Sequence, residues 1–338
     1  MRAEAVRSGL KRVPGLARVW RGLRAAHQRW QSWKSPGAAR KRTAAYWGGE
    51  ATARPGDYSV HPSFWLTSNE VLRDYVFPRF GGVDWYTYVH QRYCPAPRKL
   101  GLSLCCGNGH VERILLWRKI VAACEGVDLS PECIAACRQE AQTAGLTGLR
   151  YRVADVERMR LPRNRYDLVV GWMALHHLQN LPRVFAQVRR SLTRDGILLV
   201  NEYVGPARFR IPQSQVDLMN EWLARLPDQL KRELSGEVRQ RAVPLNLEDL
   251  VAHDPSEAIC SDQILPLISR EFEVVEEIPY GGALLQLLLG GIIQNFDPGN
   301  REHCHWLQKL YAAEREAMER GELDSDFAFV IARARRSA

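Results

Sequence analysis

A glycine-containing turn is the residue pattern with the clearest chemical use in this chain. Gly107 and Gly109 follow an apolar run, at the point where a strand would pass into a helix. Glycine lets the backbone approach a ligand closely, and the N–H groups of a helix N-terminus favour a charged group. About twenty residues later a second apolar run ends at Asp128, whose carboxylate can accept hydrogen bonds from two ribose hydroxyls. The ordered pair predicts a nucleotide-binding pocket.

Titratable side chains further along could supply acid–base chemistry. His176 and His177 follow the fourth predicted strand, and Glu202 ends the fifth. Either histidine or Glu202 could act as a general base, or the histidines could only shape the loop. Glu202 could instead bind a cationic acceptor or pair with Arg208. Arg208 could bind an anionic acceptor, and Tyr203 is a further candidate for substrate binding.

The cysteines indicate neither a disulfide scaffold nor a zinc site. All eight are scattered, mostly in apolar or helical stretches, without paired C-x-x-C spacing. We expect them to be small buried side chains in a reducing compartment. No metal-ligand spacing occurs near the candidate site, so the sequence predicts no metal.

The hydrophobic pattern predicts a parallel sheet covered by helices on both faces. Helix-forming stretches alternate with apolar runs from residue 99 onward, and Ser130 and Pro131 make a clear helix start. Such alternation is typical of an α/β fold. The predicted strands lie near 100–105, 120–127, 149–153, 166–171 and 197–203, and the helices near 110–117, 130–144 and 181–192.

The alternation breaks after the fifth strand. Residues 204–270 predict a mostly helical insert, with residues 217–234 as its clearest amphipathic piece and Asp254 at the start of another helix. Residues 272–278 and 327–332 then predict the sixth and seventh strands. The insert is long enough to close over a bound acceptor.

Residues 99–203 and the last two strands resemble the class I S-adenosylmethionine (SAM) dependent methyltransferases. Within this class the chain is similar to the methyltransferases of types 11, 12 and 25. The resemblance depends on the glycine loop 105–109, Asp128, Asp155 after strand three, and the run 166–170 that leads into 175–178. It implies a Rossmann-like sheet with strand order 3-2-1-4-5-7-6 and an antiparallel last strand. The segment 201–209 and the long insert are similar to a bacterial subgroup often found with glycan or natural-product genes.

The resemblance also assigns cofactor-binding residues. It places the glycine loop around the methionine part of SAM, Asp128 on the ribose, and Asp155 on the adenine amino group. An apolar slot for adenine and a closely approaching backbone agree with what SAM needs. The full predicted set is Ser103, Cys105, Gly107, Gly109, Asp128, Leu129, Asp155, Val156, Trp172 and Met173.

Two residues depart from the family pattern. Ser103 stands where members usually carry an acid that orients the cofactor's amino group through water, which predicts a weaker affinity for SAM. Cys105 stands where members usually carry glycine, and it is small enough for the loop if its backbone angle is ordinary.

Positive charge is concentrated at the N-terminus. Residues 1–42 contain twelve Lys or Arg and one Glu, a net charge of +11, while the whole chain has +9. The remaining chain is therefore near neutral, which argues against nucleic acid as a partner. Apolar residues recur every three or four positions from Leu10 to Trp33, which predicts a basic amphipathic helix. It could bind anionic lipid or a protein partner, form a disordered tail or dock on its own domain.

We divide the chain into five segments and expect a cytoplasmic protein, with membrane association through the arm left open. No apolar run approaches the roughly 20 residues of a membrane span. The segments are a basic amphipathic arm (1–45), an aromatic-rich helical cap (46–98), the SAM-binding core (99–203), a helical lid that binds the acceptor (204–270) and the C-terminal part of the core (271–338).

The sequence therefore predicts a SAM-dependent methyltransferase. We expect O-methylation of a small-molecule, glycan or lipid-linked acceptor in a biosynthetic pathway, with SAM as cofactor. N-methylation is one alternative, and an inactive SAM-fold protein that acts through partner or membrane binding is another. A dinucleotide-dependent oxidoreductase is disfavoured because Glu112 occupies the third glycine position of G-x-G-x-x-G.

Overall fold

The computed structural model describes residues 36–53, 64–243 and 246–335. The predicted arm helix over residues 10–33 lies outside these ranges. In the part of the chain that is described, none of the helices combines the length and the apolar character needed to span a membrane.

Seven strands form one sheet in the order β3-β2-β1-β4-β5-β7-β6, which confirms the predicted α/β fold and strand order. β7 runs antiparallel to both of its neighbours, and the other pairs are parallel. The strands are β1 (Gly101–Leu104), β2 (Cys124–Asp128), β3 (Leu149–Val153), β4 (Tyr166–Trp172), β5 (Leu192–Tyr203), β6 (Phe272–Gly281) and β7 (Phe327–Ala334).

Helices cover both faces of this sheet. Successive residues of β4 enter two separate cores, with Leu168 and Val170 in one and Tyr166 and Val169 in the other. A strand buried on both faces reads as a continuous apolar run, as the sequence does here. The α-helices of five or more described residues are α1 (Pro36–Ala53), α2 (Trp85–Arg92), α3 (His110–Trp117), α4 (Pro131–Thr143), α5 (Leu181–Ser191), α6 (Gln213–Arg225), α7 (Leu247–His253), α8 (Ile264–Glu271), α9 (Leu285–Leu289) and α10 (Arg301–Glu319).

Local sequence sets the start of α4 as predicted. The backbone N–H of Cys133 donates to Ser130 Oγ over 3.2 Å, and Pro131 occupies the first helical position. The Ser130 hydroxyl accepts a hydrogen bond from one N–H group of the first turn that has no partner within the helix. Pro131 has no N–H group to satisfy. The helix start therefore follows directly from Asp128 at the end of β2.

The insert after β5 is partly helical, but its details differ from the prediction. α6 ends at Arg225, earlier than the predicted amphipathic stretch. Asp254 begins no helix, because it follows α7 and its Oδ1 accepts hydrogen bonds from the N–H and hydroxyl of Ser256 over 2.8 and 2.7 Å. The residues after Asp254 form a turn. This turn brings Glu257 to the site described below.

Two N-terminal segments pack on this frame. α1 runs across the boundary that we drew between arm and cap, and it packs along α4, where the Cys133 thiol donates to the carbonyl of Trp47 over 3.5 Å. Residues 64–93 press aromatic rings onto β7, with Phe80 edge-on to Phe329 at 5.3 Å between centroids. Ring pairs of this kind stabilise the contact beyond simple burial.

Candidate active site

A cavity of about 610 Å³ lies at the carboxyl ends of β1 to β5. Its volume falls within the roughly 300–1,000 Å³ of ligand-binding sites, and this end of a parallel sheet is where ligands bind in α/β folds. Residues from α1, from residues 64–86, and from the turn 255–259 complete the wall. The cavity therefore lies under the N-terminal helix and the insert.

The glycine loop (105–109) and the end of β2 form the floor of one half of the cavity. Asp128 Oδ2 accepts a hydrogen bond from the N–H of Gly107 over 3.0 Å, and Oδ1 accepts one from Ser130 over 2.9 Å. Gly107 and Gly109 have φ of 53° and 73°, in the left-handed region that favours glycine. Burial raises the pKa of Asp128, while the N–H groups of Ser130 and Gly107 oppose that shift. Leu129, next to Asp128, also lines the cavity.

The loop after β3 continues this half and reaches across to α1. Asp155, Val156 and Glu157 line the cavity. Arg40 of α1 pairs with both acids, with its Nε 3.0 Å from Asp155 Oδ2 and its Nη2 2.8 Å from Glu157 Oε2. A second guanidinium, that of Arg158, lies 3.5 Å from Asp155. α1 is thereby tied to the edge of the predicted adenine site, a contact that no local signal in the sequence indicated.

Several residues in the wall have unusual backbone angles. Cys105 has a φ of 51°, so its backbone angle is not ordinary, and Met173 has a φ of 48°. Arg208, Phe209 and Ala258, in the insert next to the cavity, also have positive φ. Such strain costs of order 1–3 kcal/mol each and tends to occur at functional sites.

Two predicted cofactor-binding residues lie behind the wall. Ser103 is 3% exposed inside β1, and a Cβ on Gly109 would lie 2.7 Å from the Tyr151 hydroxyl oxygen. Glu112 of α3 is fully buried near the Ser103 hydroxyl, and neither of its carboxylate oxygens has a hydrogen-bond partner of normal geometry. Burial raises the pKa of Glu112 to about 7, although Ser103 and Arg113 oppose the shift. The chain thus carries a buried acid beside the position where the family pattern has one.

Aromatic rings line the other half of the cavity. Trp172 stacks on Tyr86 with 4.9 Å between centroids and an interplanar angle of 5°. Trp85 meets Trp172 edge-on at 5.7 Å. Tyr203 is 2% exposed but still contributes to the wall, and its hydroxyl donates to the carbonyl of Pro206 over 3.1 Å. Phe64, Phe209 and Phe327 add further apolar surface.

A buried glutamate fixes the first histidine of the site. Glu202 Oε1 accepts hydrogen bonds from the N–H groups of Ala174 and Leu175 over 2.5 and 2.6 Å, and Oε2 lies 2.6 Å from His176 Nδ1. Burial would lower the pKa of His176, but the charge and hydrogen bond of Glu202 raise it to about 9. Glu202 is fully buried and does not line the cavity, so it acts on the site through His176.

The second histidine is held from the insert. His177 Nδ1 lies 3.0 Å from Ser256 Oγ and 3.4 Å from Asp254 Oδ2. Its ring meets Trp47 of α1 edge-on at 5.3 Å. Burial and the neighbouring His176 lower the pKa of His177. The loop after β4, the insert and α1 therefore meet at this ring.

A third polar residue, Glu257, completes the group and was not singled out by sequence reasoning as a site residue. Its Oε1 lies 3.6 Å from His176 Nε2, and it lines the cavity with both histidines. The signal for it was the acid-rich turn at residues 254–257, which we interpreted as a helix start.

Arg208 does not reach the cavity. It is 8% exposed, and its guanidinium donates to the carbonyl oxygens of Glu257 and Pro255 over 2.9 and 2.8 Å. It also does not pair with Glu202, which bonds to His176 instead. Arg208 therefore stabilises the turn that carries Glu257. These contacts do not support the predicted role of Arg208 in binding an acceptor.

Comparisons with known proteins find similarity to methyltransferases. The family model described as "Methyltransferase domain" matches residues 102–200. A curated relative, the uncharacterized methyltransferase YcgJ of Bacillus subtilis (strain 168), is 26% identical over 125 residues, which is 37% of this chain and 48% of the relative. The match thus spans about half the length of that curated relative.

Matches among solved structures include a complex with SAM. Phosphoethanolamine N-methyltransferase 2 of Haemonchus contortus with S-adenosyl-L-methionine has a TM-score of 0.48 and 15% identity, over 81% of this chain and 56% of that chain. The StiE O-MT structure has a TM-score of 0.42 and 18% identity, over 77% and 73%.

Proposed function

We propose that this chain, in which residues 102–200 match a methyltransferase-domain family model, transfers the methyl group of SAM to a hydroxyl of an acceptor. The acceptor would be an apolar or aromatic small molecule, or a glycan or lipid-linked molecule with such a part. The observation that carries this proposal is one cavity that is lined by the Asp128 carboxylate in one half and by a histidine pair among aromatic rings in the other. We further propose that the reaction serves a biosynthetic pathway in the cytoplasm.

The residues in the first half fit SAM. Each Asp128 oxygen already accepts one backbone N–H, which holds the carboxylate rigid and leaves further lone pairs for ribose hydroxyls. Leu129 and Val156 give the adenine apolar contact, and Asp155 beside them can accept from its amino group. Gly107 keeps the loop free of side-chain bulk.

When bound, SAM supplies an electrophilic methyl group on a sulfonium, which a nucleophile displaces in line. The protein aligns the acceptor with the methyl group and excludes water. Alignment and exclusion of water supply much of the rate enhancement for such a displacement. Trp172 and Met173 line the cavity at the carboxyl end of β4, where they would border the sulfonium. The stacked Tyr86 ring keeps the Trp172 ring in place.

A hydroxyl acceptor must also lose its proton. The polar groups in this half include His176, His177 and Glu257, so we place binding and deprotonation of the hydroxyl there. Glu202 is a positioning residue, because it bonds to Nδ1 of His176 and leaves Nε2 toward Glu257. This is the orienting role that a buried acid has in catalytic triads.

A mass-shift assay tests the proposal. The full-length protein is incubated with methyl-deuterated SAM and pooled cell extract or a panel of phenols, alcohols and amines. We expect a deuterated methyl group on hydroxyl-bearing products and SAM binding by calorimetry. Labelled amines alone would establish N-methylation, and SAM binding without any labelled product would favour a non-catalytic role. Absence of SAM binding would overturn the proposal.

His176→Asn separates chemistry from cofactor binding. We expect it to reduce methylation by at least about a hundredfold, as loss of a positioned acid–base group does, with unchanged SAM affinity. His305→Asn, at an exposed position of α10, is the matched control and should behave as the wild type. Equal rates for both variants would contradict the assigned role of His176.

A further inference from the structure

We propose that His176, His177 and Glu257 form a binding site for one divalent transition-metal ion in the acceptor half of the cavity. The proposal builds on the proposed function, because the ion would bind the acceptor hydroxyl. It revises the expectation from sequence that no metal site is present. The three residues come from two separate loops, so no local ligand spacing could indicate the site.

The geometry of the three side chains fits a metal ion. One ligand atom from each lies within 4.8 Å of the other two, and His176 Nε2 is 3.6 Å from Glu257 Oε1. Ligands around one ion, each about 2.1 Å from it, lie at similar or slightly shorter mutual distances. The three ligand atoms would have to move closer together to bind one ion.

Both imidazoles are oriented from behind, as metal-binding histidines are. Nδ1 of His176 faces Glu202 Oε2 at 2.6 Å, and Nδ1 of His177 faces Ser256 Oγ at 3.0 Å. Such partners fix the ring orientation and the tautomer, which makes the other nitrogen available to a metal ion. Glu202 is itself held by the N–H groups of Ala174 and Leu175, so this support is rigid.

The surrounding charge also favours a cation. Glu202, Asp254 and Glu257 converge on the histidine pair, and Asp254 Oδ2 is buried without a hydrogen-bond partner. Of the described Lys and Arg side chains, Arg208 is nearby but donates to two carbonyl oxygens of the turn. A buried excess of carboxylates is costly unless protons or a bound cation compensate it.

The donor set indicates the class of metal. Two imidazole nitrogens and one carboxylate oxygen suit Zn²⁺, Fe²⁺, Co²⁺ or Mn²⁺, whereas Mg²⁺ and Ca²⁺ prefer oxygen ligands. Three protein ligands leave coordination positions open toward the cavity. Sites with open positions bind water or substrate, and closed structural sites do not.

An acceptor hydroxyl bound at an open position would become more acidic, because the ion acts as a Lewis acid. Its proton leaves to solvent, a C–O bond forms to the methyl carbon, and the C–S bond breaks. The products are the methyl ether and S-adenosylhomocysteine. The aromatic wall holds the rest of the acceptor.

Metal binding is tested directly with Co²⁺, whose visible absorption reports its coordination. The full-length protein is treated with a chelator, desalted and titrated with Co²⁺, and bound metal is measured by elemental analysis. We expect one ion per chain with an absorption spectrum that indicates nitrogen ligation. Glu257→Gln should abolish this band, and Ser256→Ala should weaken binding about ten- to hundredfold by releasing His177.

His305→Asn is the control and should bind Co²⁺ as the wild type does. Equal binding by the wild type and Glu257→Gln, or less than one bound ion per chain in the wild type, would overturn the metal site. The chelated protein separates the two proposals, since SAM-dependent methylation without metal would leave the proposed function standing. Bound Co²⁺ without methylation of any hydroxyl would support the metal site and contradict the proposed function.

Discussion

At the scale of single residues, the glycine loop has a strained backbone at Cys105, the position where the family pattern has glycine. Cys105 has a φ of 51°, and its side chain lines the cavity beside the predicted methionine part of SAM. A left-handed backbone costs an L-residue roughly 1–2 kcal/mol, which glycine avoids. The thiol is half-buried at the cavity wall, and burial raises its pKa well above the ordinary value, so it is no reactive thiolate.

Replacing Cys105 measures this strain. We expect Cys105→Gly to have a larger free energy of unfolding than Cys105→Ala by about 1 kcal/mol, because both lack the thiol and only alanine keeps the Cβ. Urea denaturation of the two variants gives the difference. An alanine variant as stable as the glycine variant would show that the left-handed backbone carries no cost here.

Glu112 makes stability depend on pH. Its pKa is about 7 in the folded state, above the value of 4.5 for an exposed glutamate, so the folded state binds more protons between these values. Stability should therefore fall as pH rises from 4.5 to 7, by about 3 kcal/mol from this group. We expect Glu112→Gln to flatten the curve of unfolding free energy against pH.

The flattening should be partial, because burial and the charge of Glu314 also raise the pKa of Asp326 to about 7. Asp326→Asn is the matched comparison, and the double variant should be flatter than either single one. A slope that Glu112→Gln leaves unchanged would mean that this carboxyl does not titrate in the window.

At the scale of elements, α1 closes the cavity over the predicted adenine site. It packs along α4, and Arg40 joins it to Asp155 and Glu157 after β3. Trp47 of the same helix touches His177 in the acceptor half. One helix thus contacts both halves of the cavity, so it would cover the proposed cofactor and acceptor sites together.

Removing the Arg40 contact should loosen this cover. Because the ion pairs are partly exposed, we expect Arg40→Met to cost about 0.5–1 kcal/mol of SAM binding, a two- to fivefold increase in Kd. Calorimetry with SAM measures it. Arg73→Met, which breaks an exposed pair with Asp74 away from the cavity, is the control. Equal affinities for the two variants would mean that α1 does not cover the cofactor.

At the scale of the whole molecule, the chain joins a near-neutral body to a strongly basic N-terminal segment. Deleting residues 2–35 removes nine Lys or Arg but keeps α1, which begins at Pro36. We expect this deletion to abolish sedimentation with phosphatidylglycerol vesicles and to leave SAM affinity unchanged, because each basic residue contributes about 1 kcal/mol near an anionic surface. Phosphatidylcholine vesicles are the control. Sedimentation that survives the deletion would exclude the lipid role of the arm.

The sequence by itself predicted the sheet and several residues of the proposed cofactor half of the cavity. Strand and helix periodicity are local properties, and Gly107, Asp128 and Asp155 come soon after strand ends, so they lie at one edge once the parallel sheet forms. Only the tertiary structure decided which polar side chains line the proposed acceptor half. Glu202 was a candidate for direct contact, yet it lies behind His176 because a buried carboxylate must satisfy its oxygens with N–H groups.

The buried Arg208 guanidinium likewise needs hydrogen-bond partners, and it donates to two carbonyl oxygens of the turn. Glu257 of this turn, and not Arg208, lines the cavity. Arg40 reaches the site from a helix distant in sequence, and Glu112 lies buried beside Ser103. These placements depend on contacts between distant segments and on the cost of burying charge, which no local pattern records.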